Sequence, residues 1–126
     1  MKKYSFEKLD VWDQSNNFID KIYDLTSNFP RDERYSLTSQ LKRAALSVGN
    51  NIAEGSGRIT AKDKANFTQI SFGSLMECLN LIIVTKRREF ITHEQLTELR
   101  NDINNIAQML SKLRRAQISN PQTLNY

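Results

Sequence analysis

LTELRNDINNIAQMLSKL, residues 96–113, places Leu96, Leu99, Ile103, Ile106, Leu110 and Leu113 at spacings that alternate three and four without exception. Side chains at those spacings line one side of an α-helix and form the seam by which helices pack in coiled-coil fashion. Just upstream, Thr92-His93-Glu94-Gln95 has the form of a capping box, with His93 at the helix start. From Ala116 onward the polar run AQISNPQTLNY loses the period, so residues 116–126 are expected to form a flexible polar tail.

Three further blocks repeat the helical spacing. The first is expected from about Phe6 to Ser27, with Leu9, Trp12, Ile19, Ile22 and Tyr23 on one side. Asn28-Phe29-Pro30 ends it, because proline lacks a donor and disfavours the α conformation in the residue before it. The second starts near Leu37 behind Ser36 as N-cap and lines up Leu41, Ala44, Ala45, Val48 and Ile52. In NIAEGSGR, residues 51–58, Gly55 is expected to close that helix in the left-handed conformation, and Gly57 to let the chain reverse. A phosphate-cradling loop would need a preceding strand and a lysine after the second glycine; this loop follows a helix and offers Arg58. Thr60 then caps a third helix that runs to about Glu89. Four helices joined by short loops define an all-α, antiparallel up-and-down four-helix bundle over residues 1–115. A chain of 126 residues with 39% hydrophobic side chains can bury one such core.

The third helix departs from the pattern of one apolar stripe. Phe72, Leu75, Met76, Leu79, Ile82 and Ile83 fall on one side, while Phe67, Ile70, Leu81 and Val84 fall on the other, with Ser74 and Glu77 among them. Self-association covers a second apolar face, and Phe72, Leu75, Met76, Leu79 and Ile83 mark the candidate surface between copies. The alternative is one broad face packed against both neighbouring helices.

Residues for catalysis are scarce. His93 is the only histidine and Cys78 the only cysteine, so neither a di-iron site with paired Glu-x-x-His motifs nor a typical zinc site can be assembled within one chain. No disulfide is possible within it either, and no cofactor is called for. Cys78 sits in an apolar stretch and reads as a small core hydrophobe. Glu54 and Glu77 lie beside apolar positions, and a buried carboxylate wants a partner such as Arg43 or the amides of Asn50 and Asn51. Arg43, Asn51, Glu54, Ser74 and Glu77 are therefore the candidate polar core, and a paired-carboxylate hydrolase is the weaker reading of the two acids. The protein is expected not to be an enzyme. The N-terminus turns acidic after two lysines, and the longest uninterrupted apolar run, Leu81 to Val84, is too short to cross a bilayer. A cytoplasmic protein with no membrane association is the expectation.

Charge is distributed unevenly. Residues 1–33 hold five basic and seven acidic side chains, residues 34–88 nine and three, and residues 89–126 four and four. The middle of the chain thus carries +6, against −2 and 0 for the two ends, within a whole-chain total of +4. Its cations cluster as Lys42 with Arg43, Arg58 with Lys62 and Lys64, and Lys86 with Arg87 and Arg88. Repeated around an oligomer, such clusters suit a nucleic-acid backbone. Cations ending a helix also complement its dipole, and scattered surface lysines are ordinary on soluble helices.

The chain from Phe6 to about Leu113 resembles the small bundle proteins encoded in intervening sequences of bacterial 23S rRNA genes, sometimes labelled a ribosomal protein. The matching features are Leu9-x-Val11-Trp12, Tyr23 followed by Phe29-Pro30, and Leu37-Thr38-Ser39-Gln40-Leu41-x-Arg43-Ala44-Ala45-x-Ser47-Val48. Asn51-Ile52-Ala53-Glu54-Gly55 and Gly73-Ser74-Leu75-x-Glu77 complete them. Ser36 stands where the family often has glycine, and Gly49 where it often has proline. The resemblance implies a non-enzymatic homopentamer with a barrel-like channel. The family is also similar to the accessory protein of diversity-generating retroelements, a pentameric bundle that partners a reverse transcriptase and nucleic acid. The expectation is a homo-oligomer, pentameric by resemblance, that binds RNA or DNA through phosphate contacts from Lys42, Arg43, Arg58, Lys62, Lys64, Arg87 and Arg88. The competing reading is a protein-only scaffold that docks a partner such as a polymerase or reverse transcriptase.

Overall fold

The computed structural model describes residues 1–119. Its helices are α1 (Asp10–Thr26), α2 (Leu37–Ser56), α3 (Ala61–Arg87) and α4 (His93–Ser119), with 3-10 turns at Ser5–Lys8 and Arg31–Glu33. Partners rise along one helix as they fall along the next: Ser47 meets Ser74 and Lys64 meets Ser56 between α2 and α3, and Thr68 meets Gln117 between α3 and α4. Consecutive helices are therefore antiparallel, and the chain is an up-and-down four-helix bundle. α2 packs most extensively on α3, and α1 least on α4.

The core follows the apolar stripes. Phe18, Ile22, Leu41, Val48, Leu75, Ile82, Ile106 and Leu110 are almost fully buried, each side chain contributing roughly 1.5–3 kcal/mol by leaving water. The seam of α4 turns inward as its spacing predicts, with Leu99, Ile103, Ile106 and Leu110 buried. On α1 the buried stripe is Val11, Ser15, Phe18 and Ile22. The expected Tyr23 is exposed instead, with the Lys42 ammonium 4.8 Å from its ring centre. α1 also begins later than Phe6, because Leu9 is extended and Phe6 folds back edge-on to Trp12 at 5.2 Å.

Helix ends explain where the chain turns. Thr92 and Gln95 close the capping box of α4, each side chain accepting from the other's backbone N–H. Thr60 accepts from the Asp63 N–H at α3. Ser36 precedes α2 without capping it, its hydroxyl donating instead to the Glu33 carboxylate, a charge-assisted acceptor, at 3.0 Å. No glycine among the described residues has a positive φ, so the left-handed closure expected at Gly55 does not occur. α2 continues through Ser56, and Gly55 serves contact: a Cβ there would lie 2.8 Å from that of Phe67.

The left-handed position falls instead on Glu89, with φ 63°. There the Phe90 N–H returns to the Thr85 carbonyl and the Glu89 N–H to that of Lys86, while the Phe90 ring packs on Phe29 at 5.8 Å. Because a side chain at that φ is strained by about 1–2 kcal/mol, Glu89→Gly is expected to raise the unfolding free energy by about 1 kcal/mol. A urea melt checks this, and an unchanged midpoint would show that the backbone there carries no such strain.

α3 resolves the two-faced pattern. Its buried side chains, Thr68, Ser71, Leu75, Cys78, Leu81, Ile82 and Thr85 among them, occupy the arc between the two apolar faces. Each face is thus a flank, one toward α2 and the other toward α4. Leu75 and Leu81 are core residues, whereas Ile70, Met76 and Val84 remain 50%, 36% and 36% exposed. By length and composition α3 is apolar enough to cross a membrane, a property that no short uninterrupted run discloses. Its interior hydroxyls are satisfied inside the bundle, Ser71 donating to the Val48 carbonyl at 2.7 Å and Thr85 to that of Ile82 at 2.6 Å. α4 keeps its helix past Ala116 to Ser119, held by Gln117 on Thr68, so residues 116–119 of the expected tail belong to the bundle. The rest of that tail, 120–126, lies outside the described residues.

Candidate nucleic-acid interface

The basic side chains divide by what already engages them. Lys64 is 6% exposed and donates to the Ser56 carbonyl at 2.9 Å, so its ammonium helps satisfy the C-terminal end of α2. Burial lowers its pKa from the ordinary value. It is withdrawn from the candidate phosphate contacts, because its charge already serves the helix junction. Arg58 pairs with Glu54 at 2.8 Å and lies 4.4 Å over the Phe67 ring, which leaves it half-buried at the same junction. Lys42 is half-buried over Tyr23. Arg43, Lys62, Arg87 and Arg88 are exposed and enter none of the ion pairs among the described residues. Arg43, Arg87 and Arg88 lie toward the end where α2 starts and α3 finishes, and Lys62 lies at the other end.

The opposite side of the bundle pairs its cation internally. Lys21 on α1 bridges Asp102 at 2.9 Å and Glu98 at 3.2 Å on α4. Its pKa is raised by the hydrogen bond to Asp102 and then that to Glu98. A polar groove of about 390 Å³ opens beside it, lined by Gln14, Asn17, Asp20, Lys21, Asp102 and Asn105 over Phe18 and Ile106.

Of the expected polar core, two members meet through a residue not foreseen. The Ser47 hydroxyl lies 2.8 Å from that of Ser74 and accepts from the Asn51 amide at 3.0 Å. Glu54 and Glu77 are exposed, as is Arg43, so these three form no buried ionic centre. Helical register places Glu54 on the rim of α2, one turn from Arg58, and an exposed i,i+4 pair requires no burial. Cys78 is fully buried, and burial pushes its thiol pKa up to about 12. A thiol so held is not a nucleophile at neutral pH. Among the described residues no group of three His, Cys, Asp or Glu side chains is placed to hold a metal ion.

Of the surface expected between copies, Phe72, Leu79 and Ile83 are half-buried, Met76 is exposed and Leu75 is wholly inside its own bundle. Leu75 is therefore a correction: it points into the arc shared by α2 and α4. A cluster missed from the sequence lies on the same flank. Arg114 and Arg115 line a groove of about 220 Å³ between α3 and α4 with Thr68, Gln69 and Ser111, over Phe72 and Leu110. The loss of periodicity at Ala116 hid it by making these arginines look terminal.

Fold and packing together define a small antiparallel helical bundle with a basic surface. The chain belongs to the 23S rRNA-intervening sequence protein family, which it matches over residues 7–112. It is similar to a protein of unknown function from the S23 ribosomal protein family of Bacteroides thetaiotaomicron VPI-5482, with a TM-score of 0.76 and 26% identity. The likeness covers 82% of this chain and 97% of that one. A comparison with curated proteins gives no match.

Proposed function

We propose that the protein is a non-enzymatic homo-oligomer, pentameric as its family resemblance implies, that binds RNA or DNA through phosphate contacts with little sequence specificity. The observation that carries this reading is the charge asymmetry of the bundle. The α1–α4 side pairs its lysine with two carboxylates, while Arg43, Arg87 and Arg88 stand exposed outside any described ion pair. Guanidinium groups left in water without a carboxylate partner attract a polyanion, and contacts to phosphate carry no sequence code. The half-exposed stretch of α3 that runs on beyond the Arg114–Arg115 groove, with Met76, Leu79 and Ile83, supports assembly because a second copy would remove it from water while the groove stays open.

Fluorescence anisotropy with labelled mixed-sequence RNA and DNA is expected to give saturable binding at about 50 mM salt that weakens steeply by about 200 mM. Replacing Arg43, Arg87 and Arg88 together by glutamine should reduce the log–log salt slope by about 2 to 3. Absence of saturable binding at low salt would sink the nucleic-acid reading and leave a ring that docks a protein partner. A monomer by light scattering would remove the assembly.

A further inference from the structure

We propose that the groove between α3 and α4 is a second phosphate site, in which Arg114 and Arg115 hold the backbone of a single nucleic-acid strand. This rests on the nucleic-acid reading and extends it to a surface on the opposite flank of α3 from α2. Two ordinary explanations for adjacent arginines fail here. The helix dipole favours cations within the final turn, but α4 runs on to Ser119 and its last turn holds no basic residue. Local ion pairing fails as well, because no side chain three or four positions from either arginine is acidic. The residues facing them across the groove, Thr68 and Gln69, are neutral, as is Ser111 beside them. Two adjacent guanidiniums thus repel one another with no counter-charge among the described residues of the groove that they line.

The groove's size and floor select the ligand. At about 220 Å³ it is smaller than the roughly 300 Å³ at which small-molecule sites begin, so it admits a phosphodiester group while the base stays outside. Phe72 and Leu110 form an apolar floor, which lowers the local dielectric and strengthens attraction between guanidinium and phosphate. Hydroxyl and amide groups from Ser111 and Gln69 supply neutral donors beside the two charges, and nothing there can read a base edge.

The test compares wild-type protein with an Arg114→Gln, Arg115→Gln variant, both checked for helix content by circular dichroism, using labelled oligouridylate as probe. The expected result is an affinity about tenfold lower for the variant and a log–log salt slope smaller by about 1.4, the amount for two contacts to a single strand. Wild-type binding with an unchanged affinity and slope in the variant overturns this site and leaves the general reading intact. No wild-type binding overturns both. Inorganic phosphate at matched ionic strength is expected to displace the probe no better than chloride. Specific displacement would make free phosphate the ligand and overturn the strand assignment.

Discussion

Leu75→Ala is expected to lower the unfolding free energy by about 2–5 kcal/mol, a large share of the roughly 5–15 kcal/mol that stabilises a domain. Leu75 is 0% exposed and lies in the arc of α3 that meets both α2 and α4, so truncation leaves a cavity that two helices would have to move to fill. Its neighbour Met76 is 36% exposed, and Met76→Ala should change the stability of the single bundle by no more than about 0.5 kcal/mol. Urea melts at two protein concentrations separate core from assembly. The Leu75 loss should be the same at both, whereas any Met76 effect that arises between copies should grow with concentration. A Leu75 variant as stable as wild type would mean that this side chain is not where the bundle places it.

At Gly55 the sign of the effect decides between two roles of glycine. Helix propensity alone makes a side chain there favourable by about 0.5–1 kcal/mol, because glycine loses more backbone freedom than any other residue. The close approach of α3 opposes this: an added Cβ would stand 2.8 Å from the Phe67 Cβ and 3.3 Å from the Lys64 carbonyl oxygen. Both are fixed parts of the facing helix, so neither can swing aside. Gly55→Val should therefore destabilise by about 3 kcal/mol. Gly73, in the middle of α3, has nothing within 4 Å of its added Cβ, and Gly73→Ala should stabilise by about 0.5–1 kcal/mol. Thermal melts that moved both variants in the same direction would rule out the close α2–α3 approach as the reason for Gly55.

The same residues show what a sequence discloses. The seam from Leu96 to Leu113 and the Thr92–Gln95 box are local patterns, and both stand in the structure where spacing places them. Gly55 misleads because glycine marks both left-handed turns and close helix contacts, and only the position of Phe67 tells them apart. Glu89 gave no signal, since its left-handed conformation goes with a long-range contact, the Phe90 ring on Phe29, sixty-odd residues upstream. On α3 the spacing of apolar residues was legible, but which flank each would occupy depended on where α2 and α4 sit. Charge was legible as a regional excess. Its availability was not: Lys64 is taken up by the Ser56 carbonyl, Arg58 by Glu54, and Arg114 with Arg115 became a groove only because α4 runs past Ala116.

The weak α1–α4 contact has a kinetic meaning. Every extensive interface in this protein joins helices that follow one another along the chain, so each can close as a hairpin over a short loop at low entropic cost. Only the α1–α4 seam brings together segments separated by most of the polypeptide, and it carries the least packing. Condensation can thus proceed by neighbours, with this long-range closure left for last and little folding free energy resting on it, the topology of a fast folder.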